Sequence, residues 1–476
     1  MNNILLSRDP SGFIFKHNGR IHRAINYSYQ QNYEYLIQSG LYDRLCSEGL
    51  LIPHTELNKE YFTLVGDPFG NCYKIIAPVE IEFISYPYEW SFEQLKDAAI
   101  TTLLIQRYAL EHNMSLKDAS AYNIQFLNCK PVFIDTLSFE IFKDGYPWIA
   151  YKQFCQHFLA PLLLMSYKDE RLHKLLSYFP DGIPLDLANS LLPLKSKLNP
   201  RILLHINLHS KAQKKFKNKE LSIQKHKFSK ASFFGLIDNL LSTINKIKLK
   251  RGNSNWSRRD GYPLKYYEEN ILNSAYINHK KQLVNTLLEK EKPRMLWDLG
   301  SNIGMFSKIA AEKNIEVICF DSDPMIINKI YVDCKAHGEV NILPLILDLV
   351  NPSCAAGWML SERISFLKRA SADMVMALAL IHHLAIANNI PLGSLAEFFS
   401  KIAKKLIIEF VPKSDANAQL LLRNREDIFL QYNQSNFEKE FEKFFRTISR
   451  EKIDESERVL FLMESNQLPK ASPTYS

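Results

Sequence analysis

The second half of the chain, from about Lys265 onward, alternates short apolar runs with runs in which apolar residues recur at helical spacing. Helical spacing is seen in MFSKIAAEK and in PMIINKIYVDCKAHG, where Gly338 ends the pattern. The continuous runs predict buried strands and are RMLWDLG, IEVICFD, NILPLILDL, ADMVMALAL and KKLIIEFV. Strands that alternate with helices form parallel sheets. This half is therefore predicted to be a Rossmann-like, doubly wound α/β sheet that binds ligands at the carboxyl ends of its strands.

The first 200 residues carry a different pattern, which predicts an α+β domain. SGFIFKHNGRIHRAI is typical of a β-hairpin, and NYEYLIQSGLYDRLCSEG, which follows it, of a helix. YKIIAPVEIEFISYPYEW predicts a strand and a hinge. The long amphipathic stretch WSFEQLKDAAITTLLIQRYALEHNMSL then leads into a polar loop, and two short strands flank a turn at residues 128–130.

Length and composition indicate a multidomain cytoplasmic protein. At about 150 residues per domain, 476 residues predict two or three domains, and 46% hydrophobic residues allow each to bury a core. The N-terminus lacks the basic and apolar regions of a signal peptide. Met374 to Ala396 is uncharged and long enough to span a bilayer, but its histidines, asparagines, proline and glycine predict a buried strand and loop instead. The seven cysteines lack zinc or C-x-x-C spacing, which predicts reduced thiols; they are Cys46, Cys72, Cys129, Cys155, Cys319, Cys334 and Cys354.

The positive charge is concentrated in one segment, which suggests the domain boundaries. Lys211 to Arg259 contains fourteen Lys or Arg and two acids, a net +12 that leaves −4 for the rest of a chain whose total is +8. A solvated linker and a surface that contacts an acidic partner or membrane both fit this charge. No recognition motif accompanies it, so nucleic acid is a disfavoured partner. The predicted regions are a first domain at 1–205, a basic linker at 206–260, a second domain at 261–465 and a flexible tail at 466–476.

A glycine turn in MLWDLGSNIGMFSKIA marks a candidate cofactor site. Gly300 and Gly304 lie where the first predicted strand becomes a helix, and their missing side chains let a ligand approach the backbone. Asp298, just before the turn, can accept a hydrogen bond from a cationic amine, and Asp321, at the end of the next strand, from two ribose hydroxyls. A nicotinamide site normally shows G-x-G-x-x-G, so the string G-S-N-I-G disfavours NAD.

These residues resemble the successive motifs of class I S-adenosylmethionine-dependent methyltransferases. The motifs are LWDLGSNIGMFS, VICFDSDP, ILPLILDL, ADMVMALALIHHL and KKLIIEFVPKSD, and the resemblance covers roughly residues 262–463. The whole chain also resembles a group of large bacterial methyltransferase-like proteins that includes a rhizobial nodulation protein. The resemblance implies S-adenosylmethionine as cofactor, with the methionine part held by the glycine turn, the ribose by Asp321 and the adenine beside Asp348. The implied cofactor-binding residues are Asp298, Gly300, Asn302, Gly304, Asp321 and Asp348.

Methyl transfer to oxygen or nitrogen needs in-line positioning and, where the nucleophile is protonated, a base. His382 and His383 follow the fourth predicted strand, where the substrate should bind, and either could be that base. The alternative is that the pair only shapes the pocket. Glu409, at the end of the fifth strand, is a further catalytic candidate, and its alternative role is an ion pair with a lysine such as Lys413.

The polar loop of the first domain, in SLKDASAYNIQFLNCKPVFIDTLSFE, resembles the catalytic loop and metal-binding aspartate of kinase-like phosphotransferases. The resemblance implies that Asp118 accepts the proton of an attacking hydroxyl. It also implies that Asn123 and Asp135 hold magnesium against the phosphates of ATP. The first domain is therefore predicted to be kinase-like, with Mg-ATP as a possible ligand.

The kinase-like pattern also has departures. The β-hairpin lacks a glycine-rich phosphate loop, and Arg23 and Lys74 are the cations available in place of the usual lysine. Thr136 and Leu137 replace the residues that normally follow the metal-binding aspartate.

Three hypotheses follow. The first is a methyltransferase with a kinase-like partner domain, acting on a small-molecule, saccharide or lipid-linked acceptor. The second is a bifunctional enzyme that also phosphorylates its substrate, and the third is a non-catalytic scaffold of two degenerate enzyme folds. The sequence does not identify the methyl acceptor.

Overall fold

The computed structural model describes residues 3–5, 9–57, 71–207, 229–249, 274–370, 372–423 and 426–466. The chain folds into two compact units, each of which mixes helices and strands. The first unit contains the described residues up to 249 and the segment Ala356–Arg363. The second contains the other described residues from 274 to 466. No helix in the described ranges is long and apolar enough to cross a membrane.

The first unit begins with a five-stranded antiparallel sheet in the order β1-β2-β3-β5-β4. Two helices, α1 (Gln30–Gln38) and α2 (Leu41–Ser47), connect the third strand to the fourth. Side chains from β3, α1 and β5 share a buried cluster with Leu137, so the sheet packs on the polar loop region. The strands are β1 (Asn3–Leu5), β2 (Gly12–His17), β3 (Arg20–Asn26), β4 (His54–Leu57) and β5 (Cys72–Pro78).

The rest of the first unit is built around one long helix, α3 (Phe92–Glu111), which starts at a capping box formed by Ser91 and Gln94. Two short antiparallel pairs follow it, β6 with β9 and the hairpin β7–β8. These strands are β6 (Met114–Leu116), β7 (Ile124–Leu127), β8 (Lys130–Phe133) and β9 (Phe139–Ile141). The later helices are α4 (Tyr151–Phe154), α5 (Ala160–Tyr167), α6 (Leu175–Tyr178), α7 (Leu185–Leu191) and α8 (Pro200–Ile202).

Part of the predicted basic linker is a helix of the first unit. Helix α9 (Lys230–Lys246) buries Phe233, Ile237, Leu240 and Ile244, which recur at helical spacing. It packs on α3, where Arg107 Nη1 lies 2.8 Å from Asp238 Oδ1. The first unit therefore extends beyond residue 205, where the first domain was predicted to end. The reason is that the apolar stripe of α9 needs a partner surface. Residues 208–228 and 250–260 of the predicted linker lie outside the described residues, as do 467–476 of the predicted tail.

The second unit is a seven-stranded sheet in the order β12-β11-β10-β13-β14-β16-β15. The first five of these strands are parallel, as the alternating pattern predicts, whereas β16 runs antiparallel to both β14 and β15. The antiparallel pair follows from a six-residue connection between β15 and β16, which is too short for a parallel crossover. The strands are β10 (Met295–Leu299), β11 (Glu316–Asp321), β12 (Ile342–Ile346), β13 (Ala372–Ala377), β14 (Ala403–Phe410), β15 (Phe445–Lys452) and β16 (Val459–Ser465).

Helices cover this sheet between its strands. The segment Met374 to Ala396, which could be mistaken for a membrane span, forms β13, a loop with a π-helical turn at His383–Ala387 and the start of the next helix. The helices of the second unit are α10 (Ala275–Glu291), α11 (Met305–Ala311), α12 (Pro324–His337), α13 (Leu392–Ile402), α14 (Ala416–Leu422) and α15 (Gln434–Glu442).

Candidate functional site

The glycine turn of the second unit lies at the carboxyl end of β10, the middle one of the five parallel strands. Gly300 and Gly304 have φ values of +72° and +74°, in the left-handed region that favours glycine. An added Cβ would lie 3.1 Å from Leu380 Cδ1 at Gly300 and 3.3 Å from Ile330 Cδ1 at Gly304. The backbone conformation therefore favours glycine at both positions, and the neighbouring side chains leave little space for a Cβ.

Asp298 lies at the end of β10 directly below this turn and is 3% exposed. Its Oδ2 accepts a hydrogen bond of 2.7 Å from Ser307 Oγ, on the first turns of α11. Burial raises the pKa of Asp298 to about 7, and the nearby charge of Asp321 acts in the same direction. A cationic ligand group would favour the ionised form of this carboxyl group.

Asp321 ends the neighbouring strand β11 and connects two loops. Its Oδ2 accepts from the backbone N of Asn302 in the glycine turn, and its Oδ1 from the backbone N of Asp323, both at 3.0 Å. Burial raises its pKa to about 6 although these bonds favour the charged form. Each carboxylate oxygen can accept more than one hydrogen bond, so Asp321 can still bind hydroxyl groups. The cap of α12 is a different residue, Asp323.

Asp348 follows β12, the third strand in sequence. It is half-buried, and its Oδ1 accepts a hydrogen bond of 3.0 Å from Val350 N. The backbone bond from Leu347 N to Asp321 O places the residue before it against the end of β11. Asp298, Asp321 and Asp348 therefore follow three adjacent strands at one edge of the sheet. The cofactor-binding roles of these aspartates stay predictions.

His382 and His383 lie in the loop after β13, and their rings are 4.2 Å apart. His382 is 1% exposed, and within the described residues neither of its ring nitrogens has a hydrogen-bond partner. Burial lowers the pKa of His382 to about 3, with smaller contributions from His383 and Arg458. His382 is therefore a neutral imidazole with two unused polar atoms, an arrangement suited to accepting a hydrogen bond from a substrate.

Glu409 is fully buried, and four donors occupy its carboxylate. Tyr276 OH donates at 2.8 Å, Lys280 Nζ at 2.5 Å, Arg458 Nη1 at 3.1 Å and the backbone N of Ala379 at 2.8 Å. Burial alone would raise its pKa, but the charges of Lys280 and Arg458 lower the pKa of Glu409 to about 2. So low a pKa, with all donors in place, favours a structural role over that of a base.

The partners of Glu409 differ from the one named in the sequence analysis. Lys413 forms its ion pair with Asp427, at 2.8 Å, and not with Glu409. The actual partners come from α10, from the loop after β13 and from Arg458, the residue before β16. Arg458 in turn makes a bidentate pair with Asp415, at 2.7 and 2.9 Å.

Sequence reasoning missed Tyr276, Lys280, Asp415 and Arg458. One signal was present, because Lys280 falls on the buried stripe of α10 between Ile277 and Val284. A lysine on an apolar helix face is rarely buried unless it is paired.

In the first unit the structure brings together the three residues of the kinase-like pattern. Ser138 connects two of them: its hydroxyl donates to Asp135 Oδ2 at 2.5 Å and accepts from Asn123 Nδ2 at 3.2 Å. Asp118 Oδ1 accepts from Ser120 N at 2.9 Å and from Gln153 Nε2 at 2.8 Å. Burial raises the pKa of Asp118, and the charge of Asp135 adds to this.

The cation beside this cluster is Arg23, on β3. Its guanidinium forms ion pairs with Asp135 and with Asp9, and Asp9 Oδ2 lies 3.2 Å from Arg23 Nη2. Lys74, the other cation considered from the sequence, instead pairs with Glu56 at 2.7 Å. Across the described ranges no three His, Cys, Asp or Glu side chains form a metal-binding group. A magnesium ion at Asn123 and Asp135 would therefore depend on phosphate oxygens for further ligands.

Comparison with known proteins identifies the relatives of the chain. It is 34% identical to the nodulation protein NoeA of Rhizobium meliloti (strain 1021) over 467 residues, which cover 97% of this chain and 95% of NoeA. The chain belongs to the NoeA family. The resemblance to the group that contains a rhizobial nodulation protein is thus confirmed, whereas no family model matches this member of the NoeA family.

Several solved structures are similar to part of this NoeA relative. The PH0226 protein of Pyrococcus horikoshii OT3 is 18% identical, with a TM-score of 0.31, and the match covers 43% of this chain and all of PH0226. The magnesium protoporphyrin IX methyltransferase ChlM of Synechocystis PCC 6803, with bound SAH, is 14% identical over 44% of this chain and 93% of ChlM, with a TM-score of 0.31. The bifunctional kinase-methyltransferase WbdD is 16% identical over 45% of this chain and 44% of WbdD, with a TM-score of 0.28. All three TM-scores are below 0.5.

Proposed function

We propose that the second unit is an S-adenosylmethionine-dependent methyltransferase. The observation that carries the proposal is the placement of Asp298 and Asp321 at the carboxyl ends of adjacent parallel strands, beside a turn with two left-handed glycines. Ligands of doubly wound sheets bind at this edge. The strand order, with its antiparallel pair at one side, also fits the fold that the resemblance implies.

The residues fit the cofactor. The buried carboxyl of Asp298 suits the ammonium group of its methionine part, and Asp321 suits the two ribose hydroxyls. Gly300 and Gly304 give the turn the left-handed backbone that brings it round from β10 to α11. Asp348 would lie beside the adenine. When bound, S-adenosylmethionine supplies a methyl group on a positively charged sulfur.

The remaining residues would position the acceptor. Neither ring nitrogen of His382 has a partner among the described residues, so the unprotonated one would accept a hydrogen bond from the attacking oxygen or nitrogen. His383 would shape the same pocket. Glu409, on β14, would hold α10 and the start of β16 in place next to this pocket through its ion pairs with Lys280 and Arg458. We assign the acceptor to the class of small molecules, saccharides or lipid-linked compounds with such a nucleophile.

Transfer of a labelled methyl group tests this function. The purified full chain would be incubated with S-adenosylmethionine carrying a tritiated methyl group and with an extract of the cells that make the protein. The reaction mixture would then be separated into lipid, polysaccharide and small-molecule fractions. We expect label in one fraction and its loss with Asp298→Asn. His382→Asn should lower the rate while cofactor affinity stays unchanged. No labelling, or labelling that Asp298→Asn leaves intact, would contradict the proposal.

A second candidate function is nucleotide binding by the first unit. The observation in its favour is the cluster of Asp118, Asn123 and Asp135 beside Arg23, a cation on the third strand of the sheet. The groups that bind magnesium and activate a hydroxyl in phosphotransferases are of these types. Nucleotide binding by the first unit is compatible with a bifunctional enzyme and with a domain that only presents substrate to the second unit.

Thermal stabilisation of the full chain by Mg-ATP tests the second function. We expect the melting temperature to rise at millimolar Mg-ATP and this rise to disappear with Asp135→Ala. Phosphoryl transfer to the labelled fraction would then indicate a bifunctional enzyme. If wild type shows no stabilisation, or the variant shows the same stabilisation, the first unit does not bind nucleotide at this cluster.

A further inference from the structure

A cavity of about 490 Å³ lies in the first unit, and none of its lining residues belongs to either candidate site. Helices α5 and α8, the helical turn Leu194–Leu198, the C-terminal end of α9 and residues 247–249 form its walls. Its volume is within the range of ~300–1,000 Å³ that small-molecule sites occupy.

One wall of the cavity is fixed by hydrogen bonds from two other helices. Helix α9 ends at Ile247, where the backbone becomes extended. Lys96 Nζ, on α3, donates to Ile247 O at 3.0 Å, and Ser166 Oγ, on α5, donates to Lys248 O at 2.7 Å. These two bonds hold residues 247 and 248 against α3 and α5 without the help of a ligand.

The floor of the cavity is apolar. Leu163, Ile202 and Ile247 line it, and each is at most 7% exposed in the folded chain. Thr243 also contributes, but its hydroxyl donates to the backbone O of Asn239 at 2.8 Å and is not free to donate to a ligand. A hydrocarbon chain is the ligand group that such a floor favours.

The rim of the cavity is positively charged. Lys195, Lys246 and Lys248 line it and are exposed, whereas none of the described residues that line the cavity is acidic. None of the three has an ion pair with another residue that the structure describes. Lys246 lies in the last turn of α9, where the helix dipole alone favours a cation. Lys195 and Lys248 have no such explanation within the fold.

We propose that this cavity binds an anionic amphiphile, a phosphate group carried on an acyl or prenyl chain. The lysines of the rim bind the phosphate, and the chain lies on the floor formed by Leu163, Ile202 and Ile247. The first unit thereby has a ligand site separate from its kinase-like cluster.

A calorimetric titration of the full chain with three probes, the amphiphile among them kept below its critical micelle concentration, tests this proposal. The probes are octyl phosphate, inorganic phosphate and octanol, which separate the head from the chain. We expect octyl phosphate to bind at least 10-fold more tightly than either other probe. Between hexyl and octyl phosphate, affinity should rise by up to about fourfold per added methylene, the value for full burial.

Variants locate the site. Lys195→Gln with Lys248→Gln should weaken octyl phosphate binding about 10-fold or more and leave octanol binding unchanged. The matched control is Lys152→Gln with Lys174→Gln, two exposed lysines of the same unit that do not line the cavity. If inorganic phosphate binds as tightly as octyl phosphate, the cavity binds only an anion. If octanol binds as tightly as octyl phosphate, the cavity binds only an apolar chain. Either result, or equal loss in both double variants, overturns the proposal.

Discussion

The two candidate sites hold their carboxyl groups in different ways. In the second unit Asp298 and Asp321 accept hydrogen bonds from a hydroxyl group and from backbone N–H groups, and burial raises both pKa values. In the first unit Asp135 is already paired with the guanidinium of Arg23. A ligand of the second unit therefore finds carboxyl groups whose charge it can stabilise, whereas a magnesium ion in the first must compete with an existing cation.

Glu409 shows that a strand-end carboxylate can instead be structural. It lies at the end of β14, two strands from β10 in the same sheet, yet Lys280 and Arg458 neutralise it within the protein. The position of an acid at a strand end is therefore a weaker indicator of ligand binding than the donors around it.

The largest expected effect comes from breaking this buried ion pair. Glu409→Gln leaves Lys280 buried without an opposite charge, so we expect the free energy of unfolding of the second unit to fall by about 3–5 kcal/mol. Denaturant unfolding measures the loss. The matched control is Glu397→Gln, which breaks an exposed pair with Lys401 and should cost less than about 1 kcal/mol. If Glu409 were the base, its variant would lose turnover while keeping its stability.

Acid is expected to destabilise the first unit. Burial lowers the pKa of His54 and His173 to about 4 and that of His157 to about 3. Below their unfolded value of about 6.5, the unfolded chain binds protons that the folded chain does not. Each histidine then lowers the free energy of unfolding by up to roughly 1.4 kcal/mol per pH unit. This loss continues until the pH reaches the pKa of that histidine in the folded chain.

The second unit should change less over the same range. As the pH falls, His382 lowers the stability of the second unit in the same way as the histidines lower that of the first. Asp298 and Asp321 instead raise the stability of the second unit. Their folded pKa values of about 7 and 6 exceed the unfolded value of ~3.8, so the folded form binds more protons and is stabilised as the pH falls from about 7 to about 4. Scanning calorimetry at about pH 7 and pH 5 should show the larger fall in the first unit. A larger fall in the second would contradict these charge assignments.

A smaller effect is expected from the acid that competes for Arg23. Asp9 is half-buried and pairs with the cation that would contact phosphate, so Asp9→Asn should tighten Mg-ATP binding by about 2- to 5-fold. Asparagine can still accept the hydrogen bond from Ser11 N, which keeps the loop in place. Asp43→Asn, on α2, is the control and should change nothing. Weaker binding in Asp9→Asn would mean that Asp9 helps to hold the nucleotide or its metal.

The parts of the fold and of the candidate site that could be predicted from the sequence are those that depend on local patterns. The glycine turn and the parallel strands of the second unit were predictable because each depends on residues adjacent in the chain. The ion pairs of Glu409 were not, since Lys280 is 129 residues away from it and Arg458 is 49 residues away. Helix α9 was assigned to the linker because its flanking lysines obscured an apolar stripe. The antiparallel strands β15 and β16 were missed, since the predicted strands stopped at β14.

The binding of S-adenosylmethionine by wild type and by Asp321→Asn tests the central claim most directly. The matched control is Asp373→Asn, the same change on β13 of the same sheet, where Asp373 accepts hydrogen bonds from Met295 N and Lys404 Nζ. If Asp321 binds the ribose, its variant should lose about 1.5–3 kcal/mol of binding free energy, or ~10- to 150-fold in affinity, while Asp373→Asn binds as wild type does. Calorimetry that shows no binding by wild type, or equal binding by all three proteins, would contradict the claim that this edge of the sheet is a cofactor site.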